Sequence, residues 1–311
     1  MKIVGYGATD IGPSREKNDD YFLVDNDIGL YIVCDGVGGT AGGNMASELA
    51  TNTAQKIIKE GLSADEKLSP AAIDALLKDA VQGACAAVYE KAQSSPALSK
   101  MGTTLSLFLA YGTGGYVAHV GDSSVFIKRG AKVHKLSQDH TFVSEMLKMG
   151  KMTPEEAENC PFAHVLTRWI GQAEALQVDT LYFELLPEDL VFLCSDGLES
   201  VYTTNEHFLS LLTDNKPDEV PEKAIALANS RDGSDNSSAL IVGITEEGVP
   251  DRVEADRVQT VSLSIETLER MFLFQGVALK DLMLIIERCS VYDASAQQVL
   301  IREGEGSDSL F

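Results

Sequence analysis

Short apolar runs rich in β-branched residues punctuate the chain, and runs of this length bounded by polar turns read as strands over 2–8, 21–25, 29–34, 103–111, 115–120, 124–129, 177–184, 189–194 and 238–244. Gly112 to Gly115 and Arg129-Gly130 have the composition of hairpin turns, which implies that much of the pairing is antiparallel. Helical spacing marks two longer segments: 44–60, which Gly61 should stop, and 70–94, with Ser69 as N-cap and Pro70 at the first helical position. Shorter helices are predicted over 141–149, 154–159, 204–212 and 218–230. Strands arrive in groups and helices in pairs. That order predicts an α+β fold of sheets packed together with helices outside, not a doubly wound βαβ sheet.

Past Ile244 the texture changes. TEEGVPDRVEADRVQT is charged and carries Gly and Pro, so it reads as a linker, and a boundary near 246 divides the chain into a domain over 1–246, a linker over 247–262 and a segment over 263–311. Within that last segment ETLERMFLF and LKDLMLIIERC have helical spacing, QQVLIR is strand-like and EGEGSDS is a polar turn.

Charge narrows the partners. Asp and Glu number 47 against 25 Lys and Arg in 311 residues, a formal charge of −22, so the field of the molecule repels phosphate backbones and anionic lipid. Neither nucleic acid nor a membrane is an expected partner. Five widely spaced cysteines with no CxxC pair fit a reducing cytoplasm, and no segment approaches the ~20 apolar residues of a membrane span.

The chemistry gathers at strand ends. YIVC runs into Asp35-Gly36, YVAHV into Gly121-Asp122 and VFLCS into Asp196-Gly197, while Asp19-Asp20 precedes YFLVD and Asp235-Asn236 precedes SSALIV. An unpaired buried charge costs several kcal/mol, so a carboxylate at the rim of an apolar sheet is hydrogen-bonded, caps a helix or binds a cation. One such aspartate is as well explained by a turn or a cap; the joint pattern suggests convergence. Oxygen-only donors suit Mg2+ or Mn2+ and disfavour zinc. Paired cations serve phosphate ester hydrolysis by activating water and neutralising phosphoryl charge. Arg15, whose guanidinium can grip phosphate bidentately, is the candidate substrate fork.

Taken together, DIGPSREKNDD, VCDGVGGTAGG, MGTTL, VAHVGDSS, LSQDH, VLTRWIG, DLVFLCSDGL and SDNSSALIV, in that order over residues 5–244, resemble the bacterial-type metal-dependent protein phosphatases of the PPM or type 2C family. The resemblance implies a sandwich of two antiparallel sheets flanked by helix pairs. It also implies hydrolysis of phosphoserine and phosphothreonine monoesters by a hydroxide bridging two Mg2+ or Mn2+ ions. By motif position Asp35 would bridge both ions, the Gly36 carbonyl and Asp20 would serve one side, and Asp196 and Asp235 the other. Asp19 would stand behind these ligands, Arg15 would hold phosphate, and Asp122 would help bind a weaker third cation. Phosphoproteins, as products of a bacterial Ser/Thr kinase, would be the substrates. Three departures stand out: Val37 where some relatives carry a proton-donating histidine, Ser124 for the arginine after GDS, and Ser237-Ser238 for an apolar residue plus threonine.

Competing readings fit less well. GVGGTA over 36–41 matches a dinucleotide-binding pattern, but Asp35 would face the pyrophosphate and no acidic residue ends a second strand ~20 positions later. Ser195 lies in CSDGL, not in a GxSxG elbow, and reads as a turn residue; His140 reads as a hydrogen-bonding residue near a helix start and Trp169 as core. A phosphoprotein-binding module without activity would have lost its acidic ligands, and a two-metal phosphodiesterase is disfavoured by Arg15 and the ordered motifs. Residues 138–165 are an insertion that the resemblance makes a flap beside the site. Residues 264–311 resemble the opening of a cyclic-nucleotide-binding domain that stops before its phosphate-binding arginine, so cyclic nucleotide should not bind in that family's mode. An amphipathic tail packed on the main domain, or a docking element, is the alternative.

Overall fold

The computed structural model describes residues 1–37, 42–63, 67–202, 205–246 and 252–286, with isolated positions from 288 to 299. Two five-stranded antiparallel sheets lie face to face. One has the order β1 (Lys2–Asp10), β12 (Ser237–Thr245), β11 (Leu190–Cys194), β8 (Ser124–Arg129), β9 (Lys132–Lys135). The other has the order β10 (Asp179–Glu184), β7 (Gly114–Val120), β6 (Leu105–Tyr111), β3 (Leu30–Cys34), β2 (Tyr21–Asp25). A small ladder joins β4 (Gly36–Val37) to β5 (Gly102–Thr103).

The period-two alternation of each strand distributes its side chains between layers. Tyr31, Val33 and Phe108 of one sheet meet Val125, Val191, Leu193, Leu240 and Val242 of the other to form the central core. Their sequence neighbours Leu30, Ile32, Leu107 and Leu109 face outward onto α1 (Gly43–Leu62) and α2 (Pro70–Gln93). On the opposite side Phe126, Phe192 and Ile241 pack on α5 (Glu199–Tyr202), α6 (Asn205–Thr213) and α7 (Val220–Arg231). The result is the α+β sandwich, helices over sheet over sheet over helices, that the sequence predicts. Its antiparallel sheets exclude the dinucleotide-binding reading, although residues 38–41 of that pattern lie outside the described residues.

Two expectations need correction. Gly61 does not stop α1, which runs to Leu62; a Cβ at Gly61 would overlap the Leu76 side chain, so this glycine serves the close packing of α1 on α2. The stretch read as a linker is in large part helical, since α8 spans Arg252–Arg270, and residues 247–251 lie outside the described residues. Helix α8 and α9 (Leu279–Ile286) pack onto the sandwich, burying Ile265, Leu279 and Met283 in the central core. Arg257 pairs with Glu184 at 2.7 Å and donates to the Leu185 carbonyl, and Lys132 reaches Glu269 at 3.1 Å. Charge had concealed an amphipathic helix. Of the strand-like QQVLIR, residues 297–299 form no strand and residues 300–302 lie outside the described residues, as does the whole of EGEGSDS. No described helix is long and apolar enough to cross a membrane.

Candidate metal centre

At one edge of the sandwich the ends of both sheets bring five aspartates together. Asp35 leaves β3, and its backbone is fixed by the MGTTL segment: its N–H donates to Thr104 Oγ1 at 2.9 Å, and its carbonyl accepts from Thr104 N at 2.8 Å and Thr103 Oγ1 at 2.8 Å. Thr104 in turn hydrogen-bonds Ser123 at 2.6 Å, beside Asp122, which follows β7. Asp196 follows β11 through Ser195, Asp235 precedes β12, and Asp20 precedes β2.

Asn236 is the buried keystone of the loop ahead of Asp20. Its Oδ1 accepts from Asp19 N at 2.8 Å, and its Nδ2 donates to the carbonyls of Ile11 and Lys17, each at 2.8 Å. Asp19 itself accepts from Asn44 N at 3.0 Å, in the first turn of α1. A glycine is required at 36, because a Cβ there would run into the Gly43 backbone and stand 2.5 Å from the Asp19 carbonyl oxygen.

The electrostatics fit a cation site. Burial, opposed by hydrogen bonds from Ser195 and Ser238 and reinforced by the charges of Asp196 and Asp235, raises the Asp20 carboxyl from 3.8 to about 7. Burial followed by the Asp196 and Asp20 charges pushes Asp35 well above the carboxylate range, and burial followed by the Asp196 charge does the same for Asp122. Asp196 is likewise raised, first by burial, while its hydrogen bond from Asp35 works against the shift. Among the described residues Asp20 Oδ1 and Asp196 Oδ1 are buried without a hydrogen-bond partner. Carboxylates that repel one another and leave buried oxygens unpaired fit divalent cations bound by oxygen. Among the described residues no three His, Cys, Asp or Glu side chains stand in cation-holding geometry as they are. They are engaged pairwise instead: Asp35 with Asp196, and Asp235 with Arg15 at 2.6 Å.

Arg15 therefore lies at the centre but faces a carboxylate, its Nε also donating to the Ser234 carbonyl at 3.0 Å. The segment expected as a flap forms α3 (Phe142–Lys148) and α4 (Pro154–Glu158) and lines a cleft of ≈ 500 Å³ that has Asp122 and Asp196 in its wall, with Asp139, Leu147, His164 and Tyr202. His140 is the hydrogen-bonding residue the sequence suggests: its Nδ1 accepts from Gly121 N at 3.0 Å, and its Nε2 faces Asp179 at 3.2 Å. Trp169 is half-buried against Gly102 and borders a groove with Val37 and His164. Asn236, Thr104 and Ser195 went unassigned or read as turn because their partners are distant in sequence. Ser195 and Asn236 each adjoin an aspartate in sequence, the one signal that could have found them; Thr104 does not.

Residues 11–220 match the family described as Protein phosphatase 2C. Protein phosphatase PhpP of Streptococcus pneumoniae serotype 2 is 30% identical over 243 residues, covering 77% of this chain and 96% of that protein. The serine/threonine phosphatase stp of Listeria monocytogenes serovar 1/2a is 31% identical over 248 residues, 77% of this chain and 96% of that one. The solved S. agalactiae serine/threonine phosphatase, 31% identical, superposes with a TM-score of 0.71 over 78% of this chain and 99% of its own. The catalytic domain of the serine/threonine protein phosphatase PstP, solved in complex with two manganese ions, gives 0.67 at 27% identity, over 78% of this chain and 99% of that one. Fold and site thus define an αββα sandwich with an acidic centre at one edge. The chain belongs to the protein phosphatase 2C family.

Proposed function

We propose that this chain is a Mg2+- or Mn2+-dependent protein serine/threonine phosphatase whose cations are held by Asp20, Asp35, the Gly36 carbonyl, Asp196 and Asp235, with Asp122 toward a third. The observation that carries the reading is the cluster of mutually repelling buried carboxylates with unpaired oxygens at a site supplied by both sheets. The manganese-bound PstP structure supports the choice of cation. When bound, such ions activate water and neutralise phosphoryl charge.

The chain's own residues do the rest. Burial and the neighbouring charges raise both Asp35 and Asp196, so a cation bound between them would favour the ionised carboxylates that hold it. Arg15 is half-exposed, and with Asp235 holding a cation it would be free to turn from that carboxylate and grip the substrate's phosphate bidentately. The cleft under α3 and α4 admits the polypeptide that carries the phosphoester. Val37 offers no proton, so the leaving oxygen is protonated from solvent.

Substrates on this reading are phosphoproteins made by a serine/threonine kinase. Five free thiols favour a cytoplasmic setting, which cell fractionation tests. Helices α8 and α9, buried against the sandwich, serve as a packed tail; titration with cyclic nucleotide should leave both stability and activity unchanged. The activity test is hydrolysis of p-nitrophenyl phosphate and a phosphothreonine peptide with Mn2+ or Mg2+, against EDTA and Asp196→Asn. Turnover that survives both controls rejects the mechanism. A phosphoprotein-binding module without activity would bind the peptide in all conditions and hydrolyse it in none.

A further inference from the structure

Behind Asp20 lies a set of buried hydroxyl groups that the catalytic scheme leaves unused. Ser195 and Ser238 are both fully buried, and they continue the β11–β12 ladder one step past its last paired residues, Cys194 and Ala239. Ser195 N donates to the Ser238 carbonyl at 3.1 Å, as in a regular ladder. The return bond is different: Ser238 N donates to Ser195 Oγ at 2.9 Å instead of to a backbone carbonyl. The Ser195 carbonyl is thereby released to accept from Leu198 N, closing the turn that carries Asp196.

With its oxygen accepting from Ser238 N, the Ser195 hydroxyl donates its proton to Asp20 Oδ2 at 2.7 Å. The Ser238 hydroxyl, like that of Ser195, opposes the rise in the Asp20 pKa. Upstream, Asn18 Nδ2 donates to Thr9 Oγ1 at 2.8 Å, and Thr9 Oγ1 shares a hydrogen bond with Ser238 Oγ at 2.7 Å. Asn18 Oδ1 accepts from Asp20 N at 3.1 Å, so the same residue also fixes the backbone of the aspartate. The Ser195 proton is thereby committed to the carboxylate, with Ser238 and then Thr9 hydrogen-bonded in turn behind it.

The consequence is an oriented carboxylate. Oδ2 accepts from the Ser195 hydroxyl, while Oδ1 is buried without a partner among the described residues, and the charges of Asp196 and Asp235 act on the same carboxyl. We infer that Ser195 and Ser238 are positioning residues that present Asp20 Oδ1 to the cation, through a relay of hydrogen bonds running from Asn18 and Thr9. The inference rests on the reading of Asp20 as a cation ligand. It adds what the acidic motifs do not contain: the affinity of the centre depends on hydroxyls remote in sequence, 175 and 218 residues from Asp20. Groups that orient a ligand in this way typically change metal affinity about 10–100-fold when removed.

The test measures Mn2+ binding to the EDTA-treated full chain, by the EPR signal of free Mn2+, alongside the urea midpoint of each metal-free protein. Asp20→Asn should abolish binding at one site. Ser195→Ala and Ser238→Ala should each weaken Mn2+ about tenfold or more, and Ser238→Thr, which keeps the hydroxyl, should bind within about threefold of the natural chain, on the usual context spread of such effects. Thr9→Val, an exposed and nearly isosteric change at the outer end of the relay, should give a smaller loss with an unchanged midpoint, and it keeps the test open if Ser195→Ala fails to fold. Natural-chain affinity in Ser195→Ala and Ser238→Ala, with Asp20→Asn impaired, overturns the positioning role alone. Natural-chain affinity in Asp20→Asn overturns the ligand assignment and the relay with it. Equal losses in Ser238→Ala and Ser238→Thr also contradict the inference, since packing and not the hydroxyl would then be responsible.

Discussion

Neutralising one carboxylate of the centre should strengthen the metal-free fold as pH rises. In the folded chain Asp20 is raised from 3.8 to about 7, chiefly by burial. A raised folded-state value means that the folded chain holds the proton more tightly than the unfolded one. The stability so gained is complete below pH 3.8 and is lost as pH climbs through about 7. A shift of about three units at ~1.4 kcal/mol each amounts to about 4 kcal/mol, of which about 2.5 kcal/mol falls between pH 5 and pH 8. Asp20→Asn does not titrate. The cost of placing an amide against the Ser195 hydroxyl is the same at every pH, so the difference between natural chain and variant isolates the charge. His119, which burial lowers from 6.5 to about 3, acts in the opposite sense below pH 6.5, because the unfolded state then takes up a proton; it is common to both proteins and cancels. The assay is urea unfolding in EDTA at pH 5, 6, 7 and 8. The natural chain should lose about 2–3 kcal/mol relative to Asp20→Asn across that range, and saturating Mn2+ should abolish the loss. A pH-independent difference, or one of the opposite sign, refutes the argument from burial and mutual repulsion.

Other outcomes follow from the same geometry. Gly36→Ala forces a Cβ into the Gly43 backbone and should cost about 1–3 kcal/mol by urea unfolding while weakening Mn2+ binding; an unchanged protein would show that the close approach is not needed. Arg15→Ala should raise KM for a phosphothreonine peptide about tenfold, the scale of one lost charge-assisted contact, yet change stability by under about 0.5 kcal/mol because its ion pair with Asp235 is exposed; a stability loss with unaltered KM reverses that assignment. Leu279→Ala empties a buried position between α9 and the sheets and should cost about 2–4 kcal/mol without affecting Mn2+ affinity; a neutral result would mean that the tail does not pack there.

Most of the sandwich was legible because β-branched runs such as LYIVC and SSALIVGI carry their layer assignment in alternate residues, and the aspartates announced themselves by ending those runs. The short strand at Lys132–Lys135 escaped notice because four mostly polar residues resemble a loop until β8 supplies the partner. Gly61 misled for a related reason. Its role is decided by Leu76 in the next helix, and local rules see only a helix breaker. Charge hid α8, where Arg257 is spent on Glu254 and Glu184 and the apolar stripe ends in Ile265. At the centre the ligand types were readable, but the groups that hold them were not. Ser195 looks like a turn, and its function becomes visible only when residue 20 is brought beside it.

The assignment of the four carboxylates to the cations is open to direct observation. Crystals grown with Mn2+ and measured at its absorption edge should show two anomalous peaks about 3.5–4 Å apart, enclosed by Asp20, Asp35, Asp196 and Asp235, with the Arg15 side chain swung away from Asp235. Ions located elsewhere on the acidic surface, with these four carboxylates still paired among themselves and with Arg15, would contradict it.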